Sequence, residues 1–298
     1  MRVVVALGGN ALLRRGERAD ASVQLHHVEA AARALAPLAA DHELVVCHGN
    51  GPQIGLLALE SSADPALTRP YPLDTLGAET QGMIGYWLAR SLRNAGVRKP
   101  VLAVLTQTVV DAADPAFASP TKFIGPVYER EHAERLAERN GWTMAADGPH
   151  WLRVVPSPEP VRLVEQESIE HLVGSGTVVV CAGGGGAPVV DDGKLEGVEA
   201  VVDKDLTAAE LAIALKADRL LLLTDVSAVM SDFGLPSAEP LDHLDLGEID
   251  QLQFLAGSMG PKVEACRRFV LATGSEAAIG ALPDAARVLE GSAGTAVR

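Results

Sequence analysis

The chain has 298 residues, 48% hydrophobic and 21% charged, the balance of a globular protein that buries about 75% of its unfolded surface without staples. Its 25 basic and 39 acidic residues leave a net charge of −14, which speaks against a nucleic-acid partner but is compatible with a local basic pocket for a small anion. The first residues, "MRVVVALGGNALLRRGE", are apolar over too short a run for a signal peptide or a membrane span, and they read as a buried strand.

In chain order, strands are predicted at 2–7, 43–47, 100–105, 177–182, 219–224 and 276–282, most of them apolar without alternation, as strands covered on both faces are. Helical patterns fall between them. One spans 22–40 and another 74–95, with Gly96 just past its end. A third covers 205–216, and a fourth covers 261–273 with Pro261 in its first turn. Strand followed by helix, repeated, predicts an α/β fold with a mostly parallel sheet between helix layers. Residues 111–165 break this rhythm. They are rich in Pro, Gly, charge and aromatics, and we expect a small inserted lobe with a helix near 128–140 that closes over a site. A hairpin turning at "DDGK" is expected within 189–202, and 231–245 reads as an acidic loop. Cys47, Cys181 and Cys266 lie far apart, each in or beside an apolar run, as buried reduced thiols of a cytoplasmic protein do.

Four glycine-bearing turns follow strands or open a helix: "LGGNAL", "HGNGPQIG", "AGGGGAPVV" and "AGSMGPK". In a parallel sheet such turns line one crevice, where backbone N–H groups and helix N-termini receive anions. Four together point to phosphate handling. The run Gly183, Gly184, Gly185 and Gly186 is expected to form a phosphate-facing wall. There is no Walker A motif and no dinucleotide glycine spacing, and no pair of His or Cys has metal-ligand spacing. His48 is either catalytic or a structural turn histidine. Lys122, Lys204 and Lys262 sit in motifs flanked by Gly, Pro or Asp, where a mobile positive charge suits a moving phosphoryl group. Either Asp203 or Asp205 caps the helix that starts at "DKD", and the functional reading has Asp205 holding two lysines by ion pairing. Thr224 and Asp225 end a buried strand, where they suit hydrogen bonds to a nucleotide or form an Asx turn.

Read consecutively, "VVVALGGNALL", "CHGNGPQIG", "SPTKFIGPVY", "VVVCAGGGGAPVV", "GVEAVVDKDLTAAELA", "LLLTDVSAVM" and "AGSMGPKVEACRRFV" resemble the signatures of carbamate kinases, within the wider amino-acid kinase fold. The resemblance runs from residue 1 to about 297, and "PTKFIGP" is its most specific element. It departs from the pattern at Leu152, where a second arginine is common, and near Met230, where many members carry an aromatic. The resemblance implies a three-layer αβα sandwich with a lobe over the acceptor site, and a homodimer. It also implies reversible transfer between ATP and carbamate, giving ADP and carbamoyl phosphate, with Mg²⁺. By position it puts Gly8, Gly9 and Asn10 at the transferring phosphate and acceptor, and Gly49, Asn50 and Gly51 on the other wall of the carbamate site. Lys122 reaches the substrate from the lobe, Lys204 binds the transferring phosphate, Lys262 contacts the β-phosphate side, and Asp205 orients the lysines. Thr224, Asp225, Val229, Met259 and Gly260 face the nucleotide. The rival readings are another kinase of the same fold with a larger acceptor, or a nucleotide-binding protein without turnover.

Overall fold

The structure, a computed structural model, describes residues 1–14, 16–231, 237–249 and 259–298, and of Asn10 the backbone alone. Parts of the predicted acidic loop (232–236) and of the fourth glycine turn (256–258) lie outside the described residues.

Strands and helices are numbered in chain order. The central sheet runs β13 (His243–Leu244), β15 (Thr295–Val297), β14 (Ala277–Ala281), β12 (Arg219–Thr224), β1 (Arg2–Leu7), β2 (Glu43–His48), β9 (Val178–Val180) and β3 (Val101–Ala103). Its neighbours are parallel except β14 with β15. Alternate residues of β1 serve two cores. Val3, Val5 and Leu7 pack under α1 (Ala21–Asp41), α3 (Leu73–Asn94) and α9 (Ala285–Leu289). Val4 and Ala6 pack under α5 (Gln166–Gly174), α6 (Lys204–Ala214) and α8 (Met259–Thr273). Two apolar faces, each covered by helices, make the three-layer αβα sandwich. This double burial is why the strands lack alternation.

The six predicted strands and four predicted helices all appear, with ends moved by a few residues. Two elements depart from expectation. The short strand β13 lies inside 231–245, a predicted loop, because it pairs with β15. The "GNGPQIG" stretch is not only a turn: it opens α2 (Gly51–Ala63), with Pro52 in the first turn, where its missing N–H leaves no unmet bond. A short α7 (Leu246–Ile249) precedes α8.

A second sheet, ordered β11 (Leu195–Gly197), β10 (Ala187–Asp191), β4 (Gln107–Val110), β8 (Pro160–Leu163), carries the predicted hairpin as β10 and β11. Within 111–165 the chain builds a small sheet of β5 (Lys122–Tyr128), β7 (His150–Val155) and β6 (Thr143–Asp147), antiparallel throughout. With α4 (Arg130–Asn140) it encloses a core of Tyr128, Ala133 and Leu136, against which Trp142 and Trp151 pack. The return segment leaves this unit, because β8 pairs with β4 in the second sheet. The lobe sits on α2 through close backbone approach and apolar packing: a Cβ on Gly55 would stand 2.0 Å from Gly125 Cα, Gly125 has φ +80°, and Ile124 and Val155 pack with Ile54 and Ala58.

Candidate active site

β1, β2 and β12 run parallel and release their chains at the same edge. The first turns interlock: Gly8 N–H donates to the Leu223 carbonyl at 2.7 Å, and Gly49 N–H to the Leu7 carbonyl at 3.1 Å. A Cβ on Gly49 would lie 3.0 Å from the Gly9 backbone, so a side chain there would press the second turn against the first.

The helix α6 begins beside these turns, and Asp203 is its cap. Asp203 Oδ1 accepts the backbone N–H of Asp205 at 2.9 Å and of Leu206 at 3.4 Å. Asp205 is therefore free of capping duty. Its Oδ1 accepts Lys204 Nζ at 2.8 Å and its Oδ2 accepts Lys262 Nζ at 3.2 Å. Asp205 is 2% exposed and Lys262 4% exposed, so one buried carboxylate joins lysines from α6 and α8. Burial alone would lower the Lys204 pKa, but Asp205 and Asp203 outweigh it and hold the ammonium above the ordinary lysine range. Lys262 goes the other way: burial and the neighbouring Lys204 charge push it below that range, and Asp205 only partly offsets them. Two lysines sharing one carboxylate thus carry different proton affinities.

From the lobe, Lys122 at the start of β5 reaches down and forms an ion pair with Asp203 Oδ2. Burial works against the Asp203 carboxylate, yet the charges of Lys122 and Lys204 hold it well below the usual carboxylate range. Between the lobe and the strand ends lies a cleft of about 1590 Å³, lined by Gly8, Gly9, Gly51, Thr224 and Gly260 together with Lys122, Asp203, Lys204, Asp205 and Lys262. At its margin Arg268 of α8 bonds Glu159 at 2.7 Å and Glu264 at 2.8 Å.

Other predicted residues are placed elsewhere. Gly183, Gly184 and Gly185 do not line the cleft. They pack inward, where a Cβ would meet the His48 ring at 2.4 Å, the Asn50 side chain at 2.1 Å and the Val202 carbonyl at 2.5 Å. Close packing against protein, rather than room for a phosphate, explains why these positions are glycine. Asn50 is buried behind Gly51, where its Nδ2 donates to Thr80 Oγ1 at 2.8 Å. Val229 is likewise not at the cleft: its side chain is fully buried, its N–H donates to Thr295 Oγ1 and its carbonyl accepts Leu241 N–H. Asp225 is exposed at the end of β12 and accepts Thr224 Oγ1–H at 3.0 Å. Met259 packs partly into the core under α8. His48 is a structural histidine. It is 1% exposed, Nδ1 pairs with the Gly49 carbonyl, and burial lowers its pKa from 6.5 to about 4.

Asp203 as the partner of Lys122 was not anticipated, nor was the Glu159–Arg268 bridge. The "DKD" spacing marks Asp203 as a cap, but no local pattern reveals a partner 81 residues away.

Residues 1–280 match the amino acid kinase family. The chain belongs to the amino acid kinase family. This amino acid kinase is 50% identical over 302 residues to the carbamate kinase of Rhizobium meliloti (strain 1021), covering 100% of this chain and 93% of that one. Among solved structures it matches carbamate kinase from Giardia lamblia bound to citric acid, with TM-score 0.93, 37% identity, and coverage of 99% of this chain and 97% of the other. The same Giardia enzyme bound to AMP-PNP matches with TM-score 0.89 and 37% identity, covering 99% and 98%.

Proposed function

We propose that this kinase transfers a phosphoryl group reversibly between ATP and carbamate, giving ADP and carbamoyl phosphate. The observation that carries the reading is the Lys204–Asp205–Lys262 cluster on the cleft floor, faced by Lys122 from the lobe. In the ATP-consuming direction a carbamate oxygen attacks the γ-phosphorus while the bond to the β,γ-bridging oxygen breaks. Carbamate is already an anion, so no general base is needed, and His48 is buried away from the reaction. What the protein supplies is alignment and positive charge on the phosphoryl oxygens. Lys204, held charged by Asp205, serves the transferring phosphoryl group, and Lys262 serves the β-phosphate side. Lys122 serves the acceptor, with Gly8, Gly9 and Gly51 admitting the reactants close to backbone N–H groups. Thr224 and Gly260, which line the same cleft, serve the nucleotide.

Mg²⁺ enters as part of the nucleotide substrate. Among the described residues no three His, Cys, Asp or Glu side chains gather as a metal cage, and Asp203 and Asp205 are engaged by lysines. A magnesium ion held chiefly by phosphate oxygens and water fits that donor set.

The reading extends to a cytoplasmic homodimer that makes ATP in arginine breakdown. Three free buried cysteines support a reducing compartment. Support for the second copy comes from the edge strand β3, where Leu102 is 45% and the nearby Leu105 57% exposed, with Tyr86 of α3 also exposed.

The test is ATP formation from ADP and carbamoyl phosphate with Mg²⁺, in wild type and Lys204→Ala. We expect turnover in the wild type and a loss of about 10²–10³ in the variant, which stays folded. Variant activity within about threefold of wild type would remove Lys204 from its role. A wild type that binds ADP without turnover would shift the assignment to another acceptor.

A further inference from the structure

We propose that Asp203 is a positioning residue that docks the lobe: it holds Lys122 until an anionic acceptor takes the ammonium over. The proposal rests on the carbamate kinase reading for the identity of that acceptor. Four observations carry it. The Lys122–Asp203 ion pair joins the lobe strand β5 to the cap of α6, the helix that presents Lys204 and Asp205. Both residues line the same cleft, with side chains 30% and 13% exposed, so an entering ligand reaches Lys122 where it stands. The carboxylate itself cannot follow the lysine, because Asp203 Oδ1 is tied to the backbone N–H groups of Asp205 and Leu206. Finally, β5 is already anchored on α2, by the close backbone approach of Gly125 to Gly55 and by the packing of Ile124 with Ile54 and Ala58, so the ion pair is a second, polar attachment of the same strand.

A fixed dock and a mobile lysine make a competition. Among the described residues the ammonium of Lys122 pairs with the Asp203 carboxylate, and the acceptor must displace it. Competition of this kind lowers apparent affinity by the fraction of protein in which Lys122 is available. It also has a use: the lobe stays registered over the catalytic helix when no substrate is present, so Lys122 need not be found by a free search.

Asp203→Asn tests the idea, because asparagine caps a helix as well as aspartate does but carries no charge for Lys122. We expect KM for carbamoyl phosphate to fall by about 3- to 10-fold as the competitor is removed. We also expect backbone amides of β5 in the ligand-free protein to exchange with solvent several times faster. Asp203→Ser, a second uncharged cap, should reproduce both effects. Lys122→Met leaves the cap intact and should produce the faster β5 exchange by itself. A cap-preserving variant with unchanged or raised KM overturns the competition. Unchanged β5 exchange in Lys122→Met overturns the dock, even if the Asp203 variants fail to fold. The exchange measurement needs no turnover, so an inactive wild type would sink the functional reading while leaving the dock to be judged separately.

Discussion

Gly55 of α2 and Gly125 of β5 meet backbone to backbone, and there is no space between them for a single methyl group. Through this contact the lobe rests on the helix that begins at Gly51, a residue of the cleft wall. Gly55→Ala would push the lobe, and Lys122 with it, away from the strand ends. Misplacement of a reacting group by about 1 Å is enough to cost on the order of 10²-fold in rate. We expect kcat/KM for carbamoyl phosphate to fall by about 10- to 100-fold. Gly77→Ala on α3 should change it little, since its nearest foreign atom is the end of a flexible side chain, Ile54 Cδ1, at 3.9 Å. Steady-state kinetics on the two variants decide it: equal losses would mean that the Gly55 contact does not set the lobe.

Asp205 pairs with two lysines from different helices. Removing one member of a buried charged network weakens the compensation of the others, at up to about 3–5 kcal/mol. Asp205→Asn should therefore lower unfolding stability by about that amount, measured by urea titration at neutral pH, and reduce turnover. A variant as stable as wild type would show that the lysines find other partners.

His48 gives the protein an acid-sensitive step. Its pKa is lowered from 6.5 to about 4 by burial, so as pH falls the unfolded chain takes up a proton before the folded one does. The stability this group contributes is complete above 6.5 and is lost as pH falls toward 4, by about 3 kcal/mol in all. Urea unfolding across that range, in wild type and His48→Gln, should show the slope flatten in the variant whatever its stability at neutral pH. Parallel slopes would assign the acid step to other groups.

Lys262 is held below the ordinary lysine range by burial and by Lys204. Its charge is lost as pH rises, so turnover should decline on the alkaline side before free lysines titrate. Stability moves oppositely: across the window between the lowered value and the ordinary one, the unfolded chain binds the extra proton, and stability rises with pH. Lys262→Arg, which cannot lose its proton, should lack the alkaline decline in its pH–rate profile even if its turnover is lower. A decline that persists in the variant would place the titrating group elsewhere.

Much of this was readable before the fold was known. Strands such as 2–7 and 219–224 announce themselves because both of their faces are buried. The lysine–aspartate constellation is legible because charged residues inside apolar stretches need a reason. The glycine run at 183–186 is where local reading ends. Its density is visible, but the bodies that crowd it, His48, Asn50 and Val202, as well as Thr108, come from distant parts of the chain. The helix α2 was hidden for a related reason: Gly51, Pro52 and Gly55 look like a turn, and only the approach of Gly125 explains a glycine within the helix. Val229 shows the converse, a motif neighbour that belongs to the core rather than the site.

The two lysines that Asp205 gathers stand on α6 and α8, two helices packed side by side on one face of the sheet. Their spacing is thus a property of the seam between two helices. A slight loosening of that seam would separate the charges while the sheet beneath stays intact. Heat should then silence the enzyme at a lower temperature than it melts it, and cooling within that interval should restore activity without refolding.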